Sequence, residues 1–174
     1  MHDPFPIPCP PLLARLTTPL ATALNLPTLP THIHEVLLAT LTYHIICAYV
    51  SPTVSSLVFP RIYPQLPIRT RINWDVHVVS FVQSVVISVL ALWVMFVDEE
   101  RKGMGWRNRV WGYTGGGGMI QGLAAGYFLW DLGVCMRHLR VFGWGLLAHG
   151  VAALVVFSLG FVRFCTHPPN SLET

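Results

Sequence analysis

The stretch VHVVSFVQSVVISVLALWVMFV (residues 76–97) contains no Asp, Glu, Lys or Arg in 22 residues. As a helix rising ~1.5 Å per residue it reaches ~33 Å. That matches a bilayer hydrocarbon core of about 30 Å. Three further runs, 36–59, 115–136 and 141–162, are also predominantly apolar over 22 to 24 residues each. Four such runs in 174 residues predict an all-α, multi-pass transmembrane bundle with lipid as its solvent.

Composition agrees. Charged residues make up 11%, against about 25% in a soluble domain. The formal net charge of +3 comes with no basic stripe, so nucleic acid is not an expected partner. Cys9, Cys47, Cys135 and Cys165 show no ligand-type spacing, which predicts neither a disulfide framework nor a bound metal. No cofactor is expected. The first 31 residues hold eight prolines, too many for one continuous helix, and no cleavable signal peptide is read there. Residues 1–31 are therefore expected to form an irregular extension with a short interfacial helix over 15–26.

The first span is expected to start after Pro30, with Thr31 as N-cap and Glu35 in the first turn, where the helix dipole favours a carboxylate. Pro52 should kink it, Ser51, Ser55 and Ser56 bonding the freed carbonyls. Pro60 should end it, and 61–75 reads as an interfacial loop.

In the second span His77, Ser80, Ser84 and Ser88 fall on one helical face with Gln83 beside them. This stripe is expected to point inward, as helix–helix glue or as the wall of a polar cavity. The charged loop 98–109 follows, with Trp106 and Trp111 as interfacial anchors.

The run Gly115-Gly116-Gly117-Gly118 is not a phosphate loop, because Met119-Ile120 stand where lysine and Ser/Thr are needed. Gly118, Gly122 and Gly126 recur every four residues and are read as a close helix-packing stripe. Asp131 lies about opposite, inside a span, where a carboxylate costs roughly 2.5–3.5 kcal/mol. The third helix should thus have two constrained faces and sit centrally. In the fourth span His149 is the one strongly polar residue, and Arg163 closes it by snorkelling.

Let A be the side on which the first span begins, and B the other. Asp131 then lies ~8 Å and His149 ~12 Å in from B by helical rise. With His77, Ser80, Gln83 and Ser84 they are expected to share one polar layer; His44 lies nearer A. Asp131 and His149 could serve only to hold the third and fourth helices in register. Six basic residues on A (Arg15, Arg101, Lys102, Arg107, Arg109, Arg163) against five on B (Arg61, Arg69, Arg71, Arg137, Arg140) leave orientation open.

Three segments carry a resemblance. They are Ile72-Asn73-Trp74-Asp75-Val76-His77-Val78-Val79-Ser80 with Gln83-Ser84, Gly126-Tyr127-Phe128-Leu129-Trp130-Asp131, and Leu146-Leu147-Ala148-His149-Gly150. Together they make 41–163 resemble the TLC (TRAM, LAG1 and CLN8 homology) domain, especially its fungal members outside the ceramide synthases. The resemblance implies a multi-pass protein, often of the endoplasmic reticulum, tied to lipid synthesis, sensing or trafficking. It divides the chain into the extension 1–31, a partial TLC-type domain 32–164 and a tail 165–174. Ceramide synthases carry adjacent histidines in a longer motif, whereas His149 stands alone. The domain also looks cut short after Gly160-Phe161-Val162-Arg163-Phe164.

The leading expectation is a non-enzymatic lipid-binding or lipid-sensing protein acting in lipid homeostasis, with membrane lipids as partners and a membrane-protein partner or homo-oligomer as a further possibility. A ceramide-synthase-like N-acyltransferase is the alternative, with His149 as general base and Asp131 orienting it. A transporter subunit would need a continuous polar path, for which the A half offers only His44 and Gln121. A truncated, non-functional product is the remaining alternative.

Overall fold

In the computed structural model, residues 3–162 are described. Arg163 and the tail 165–174 lie outside them, as does the side chain of Trp111. The described residues form helices and no strand. Helix α1 spans Pro11–Ala23 and α2 spans Leu29–Ile45. A π-turn, Ile46–Val50, joins α2 to α3, Ser51–Val58. Then come α4 (Ile68–Phe96), the short α5 (Glu99–Lys102) and α6 (Trp106–Trp111), α7 (Gly115–Arg137) and α8 (Leu139–Ser158). Four stretches are long and apolar enough to cross a membrane: Leu29–Val58, Ile68–Phe96, Gly115–Arg137 and Leu139–Phe161.

Several boundaries differ from expectation, each for a local reason. In the proline-rich segment, Pro11 sits in the first turn of α1, where its missing N–H costs nothing. Just past its C-cap, Leu24, comes Asn25, whose φ of 55° is left-handed. There the Leu26 N–H reaches back to the Ala21 carbonyl at 2.8 Å, closing the helix in the Schellman manner. Thr31 is not the N-cap of the first span. That helix starts two residues earlier, with Pro30 in its first turn, and Thr28 precedes it. The Thr28 hydroxyl donates to the Phe161 carbonyl at 2.8 Å, tying the start of the first span to the end of the last.

Pro52 marks a break as expected, but Ser51 and Ser55 turn to Asp75 and Trp74 rather than to the freed carbonyls. The proline has no N–H to donate and its ring crowds the preceding turn. The chain widens there into the π-turn, in which the Ser51 N–H bonds the Ile46 carbonyl. The expected loop 61–75 is largely helix. Only 59–67 is non-α, and α4 starts at Ile68. At 29 residues, α4 reaches ~44 Å, so its first turns, with Arg69 and Arg71, lie in the interface rather than the hydrocarbon.

Helix α7 is the axle. Of the four membrane-spanning stretches it is the most buried, and Leu139–Phe161 the least. One face receives α2. A Cβ on Gly118 would strike the His32 ring and the Tyr113 hydroxyl, one on Gly122 the Glu35 carboxylate, and one on Gly126 the Val36 carbonyl. Absence of side chains on that stripe lets the backbones approach. The opposite face receives α8, where a Cβ on Gly150 would stand 3.5 Å from Asp131 Oδ2. Helix α8 breaks at Gly143, with φ 77°, a conformation open to glycine at little cost.

Candidate functional site

The expected polar layer is divided by the packing. The buried residues of α4 are Asp75, Val76, Val79, Gln83 and Val94. At 100° per residue the stripe of His77, Ser80, Ser84 and Ser88 is centred roughly a third of a turn from that face. Ser80 and Gln83 reach the interior. The Tyr43 hydroxyl donates to Gln83 Oε1, and Ser80 Oγ pairs with the Tyr127 hydroxyl at 2.9 Å. Tyr43, Tyr127 and Trp130 pack ring against ring around them. His77 and Ser84 are exposed and bond carbonyls of their own helix, those of Asn73 and Ser80. Asp131 is buried against α8 and within electrostatic reach of His149. His149 is exposed on α8, and no hydrogen bond joins the pair among the described residues.

At the B end, a cluster that sequence reasoning passed over gathers on Asp75. Ser51 Oγ donates to its Oδ1 at 2.7 Å, and the Tyr63 hydroxyl reaches both carboxylate oxygens at 2.9 Å. Trp74 Nε1 donates to Ser55 at 3.0 Å, and the Arg71 guanidinium lies over the Tyr63 ring. Burial pushes the Tyr63 phenol well up, and the adjacent Asp75 carboxylate adds to the shift. The cluster fastens the end of the first span to the start of the second.

The densest polar group lies at the A end, where few polar residues were expected. Glu35 does not face solvent in a first turn: it and His32 are both 0% exposed. His32 Nδ1 pairs with Glu35 Oε2 at 2.9 Å, and its Nε2 pairs with the Tyr113 hydroxyl. The ring stacks on Phe161. The N-terminal arm folds back onto this group, with Phe5 edge-on to His34 and Cys9 Sγ donating to the Pro30 carbonyl at 3.3 Å. Burial pushes the Cys9 thiol up, opposed by a backbone hydrogen bond from His34 and reinforced by the charges of Glu35 and Asp3. The ligand-bearing atoms of Asp3, His34 and Glu35 lie within 4.8 Å of one another. The sequence signal was present in His32-Ile33-His34-Glu35, which brings two imidazoles and a carboxylate to the mouth of an apolar run.

Beside this group a cavity of about 370 Å³ opens between the start of α7 and the end of the last span. Arg101 and Arg109 supply its charge, Thr114 and Gln121 its neutral polar groups, and Leu159 and Val162 its apolar lining. Arg109 is held in place by donating Nε to the Met104 carbonyl and Nη2 to the Lys102 carbonyl, both at 2.8 Å. Thr114 caps α7 by accepting from the Gly117 N–H at 3.0 Å. Glu100 accepts from the Gly115 N–H at 3.1 Å, a carboxylate where the helix dipole is positive. Gln121 Oε1 is buried without a partner, and its side chain fills the space over Gly160.

The TLC domain family matches residues 73–170, more than half of the chain. An uncharacterized TLC domain-containing protein of Schizosaccharomyces pombe is 35% identical over 149 residues, covering 86% of this chain and 49% of that protein. Topoisomerase I damage affected protein 4 of Saccharomyces cerevisiae is 28% identical over 137 residues, 77% of this chain and 46% of that protein. TLC domain-containing protein 4 of Homo sapiens is 26% identical over 102 residues, 59% and 37%. The chain thus spans about half, or less, of the length of these relatives. No solved structure matches it.

Proposed function

The chain belongs to the TLC domain family, and on that premise we propose that it is a lipid-binding membrane protein that takes an anionic headgroup at its A end. The observation that carries this reading is the cavity flanking the start of α7. Two arginines meet an apolar lining there, the pairing a lipid requires of its site: charge for the headgroup, hydrocarbon surface for the chain. Guanidinium groups suit phosphate and carboxylate alike. Helix α1 and its C-cap show Leu12, Leu16, Leu20 and Leu24 exposed, a row suited to acyl chains. The role is binding or sensing that influences membrane composition, without turnover, in the endoplasmic reticulum.

Native mass spectrometry of the chain released from micelles tests the site. The wild type should retain an anionic phospholipid in preference to a zwitterionic one, and Arg101→Glu should lose that preference. Arg101 donates no hydrogen bond among the described residues, so its replacement leaves the fold intact. Equal retention of both lipids by the wild type, or unchanged preference in Arg101→Glu, would overturn the site. Incubation with sphingoid base and acyl-CoA separates binding from catalysis: acyl transfer lost in His149→Ala would replace this reading with the acyltransferase one.

A further inference from the structure

We propose that Asp3, His34 and Glu35 form a binding site for a divalent transition-metal ion of the zinc class. The three residues offer one imidazole nitrogen and two carboxylate oxygens, mutually within 4.8 Å. A metal ion about 2.0–2.2 Å from each ligand needs only a contraction of that triangle. A second, independent observation points into the same space. His34 is 8% exposed, and neither of its ring nitrogens has a partner; Glu35 is 0% exposed, and its Oε1 has none. Buried polar atoms without partners are rare, and a bound ion is one of the few things that account for them. Two carboxylates balance a divalent charge, which relieves the burial of Glu35.

The surroundings support ligation. His32 Nδ1 holds Glu35 Oε2 at 2.9 Å and lies 3.6 Å from Asp3 Oδ2, which fixes both carboxylates, the usual task of a residue behind a metal ligand. Tyr113 in turn fixes His32. Asp3 is set by a turn in which its Oδ1 accepts the Phe5 N–H at 3.0 Å, and the Phe5 ring covers His34. One imidazole and two carboxylates suit zinc, manganese or ferrous iron rather than a soft thiophilic metal. Bound there, the ion clamps the N-terminal arm onto the first membrane helix. The inference stands apart from the lipid reading, since no ligand of the ion lines the cavity.

The test uses the full chain in detergent, stripped with a chelator and titrated with zinc chloride by calorimetry. One zinc per chain is expected to bind and to raise the melting temperature. Asp3→Asn and His34→Ala should each weaken binding about tenfold or more, while His77→Gln, at an exposed position on α4, should bind as the wild type does. Gel filtration and circular dichroism report whether each variant folds. If His34→Ala does not, Asp3→Asn decides, because Asp3 lies on the partly exposed arm. Absence of zinc binding in the wild type, or unchanged binding in a folded Asp3→Asn, would overturn the site.

Discussion

Asp75 shows how a single carboxylate organises one end of the bundle. It accepts from Ser51 and Tyr63, so two other segments converge on it. Its partner carries a pH signature. The Tyr63 phenol lies above its ordinary value of 10.0 because it is buried and because it faces the Asp75 carboxylate. The folded chain keeps a proton that the unfolded chain gives up above about pH 10. The stabilisation is complete below that pH and is lost as pH rises beyond it. Unfolding measured as pH rises above about 10 should show a steeper fall for the wild type than for Tyr63→Phe; identical slopes would contradict the assignment. Asp75 was hidden from sequence reading because the prolines at 64 and 67 made its neighbourhood look like loop. The i, i+4, i+8 placement of Asp75, Val79 and Gln83, all buried, is the helical signal that could have found it. Glu35 was missed for the opposite reason. It was assigned to a helix dipole, although His32 three residues before it offered a partner on the same face.

At the scale of elements, the apolar runs told where the helices lie, because a bilayer sets their length. The glycine stripe on α7 was equally legible, since residues four apart share a face. What it meets was not: Gly118, Gly122 and Gly126 lie under His32, Glu35 and Val36 of α2, a pairing that needs the tertiary fold. Gly126→Val should destabilise the bundle by about 1–3 kcal/mol, because the new Cβ meets the Val36 carbonyl and stands 2.7 Å from the Ala39 Cβ. Gly133 lies on the same helix with nothing within 4 Å of an added Cβ. Gly133→Ala should therefore be neutral, or stabilising by up to about 1 kcal/mol. Thermal melts in one detergent compare them directly, and equal effects would refute the packing assignment. The stripe on α4 was misread by rotation. Its serines share a face, but the buried face is set by Val76 and Val79 against Tyr43 and Trp130, and polarity alone could not reveal that.

For the whole molecule, the alternation of spans decides which groups meet. Starts of α2 and α7 share the A end with the close of the last span, which is why His32 meets Tyr113 and why Arg109, Tyr113 and Gln121 line one cavity. Sequence reasoning had the alternation but looked toward B, drawn by Asp131 and His149. Asp131 does lie against α8, yet it is buried and His149 is exposed. Membership in the TLC family and the membrane-spanning helices agree with the reading of the sequence, while the identity of the site required coordinates. The cavity, the metal triangle and the lipid reading all depend on this up-and-down threading. Single-cysteine labelling in sealed vesicles tests it most directly, using Gln65→Cys, Gly105→Cys and His138→Cys in a background with the four native cysteines changed to serine. A membrane-impermeant maleimide should report positions 65 and 138 on one side and 105 on the other. All three on the same side, or 65 and 138 on opposite sides, would contradict the fold and everything built on its A end.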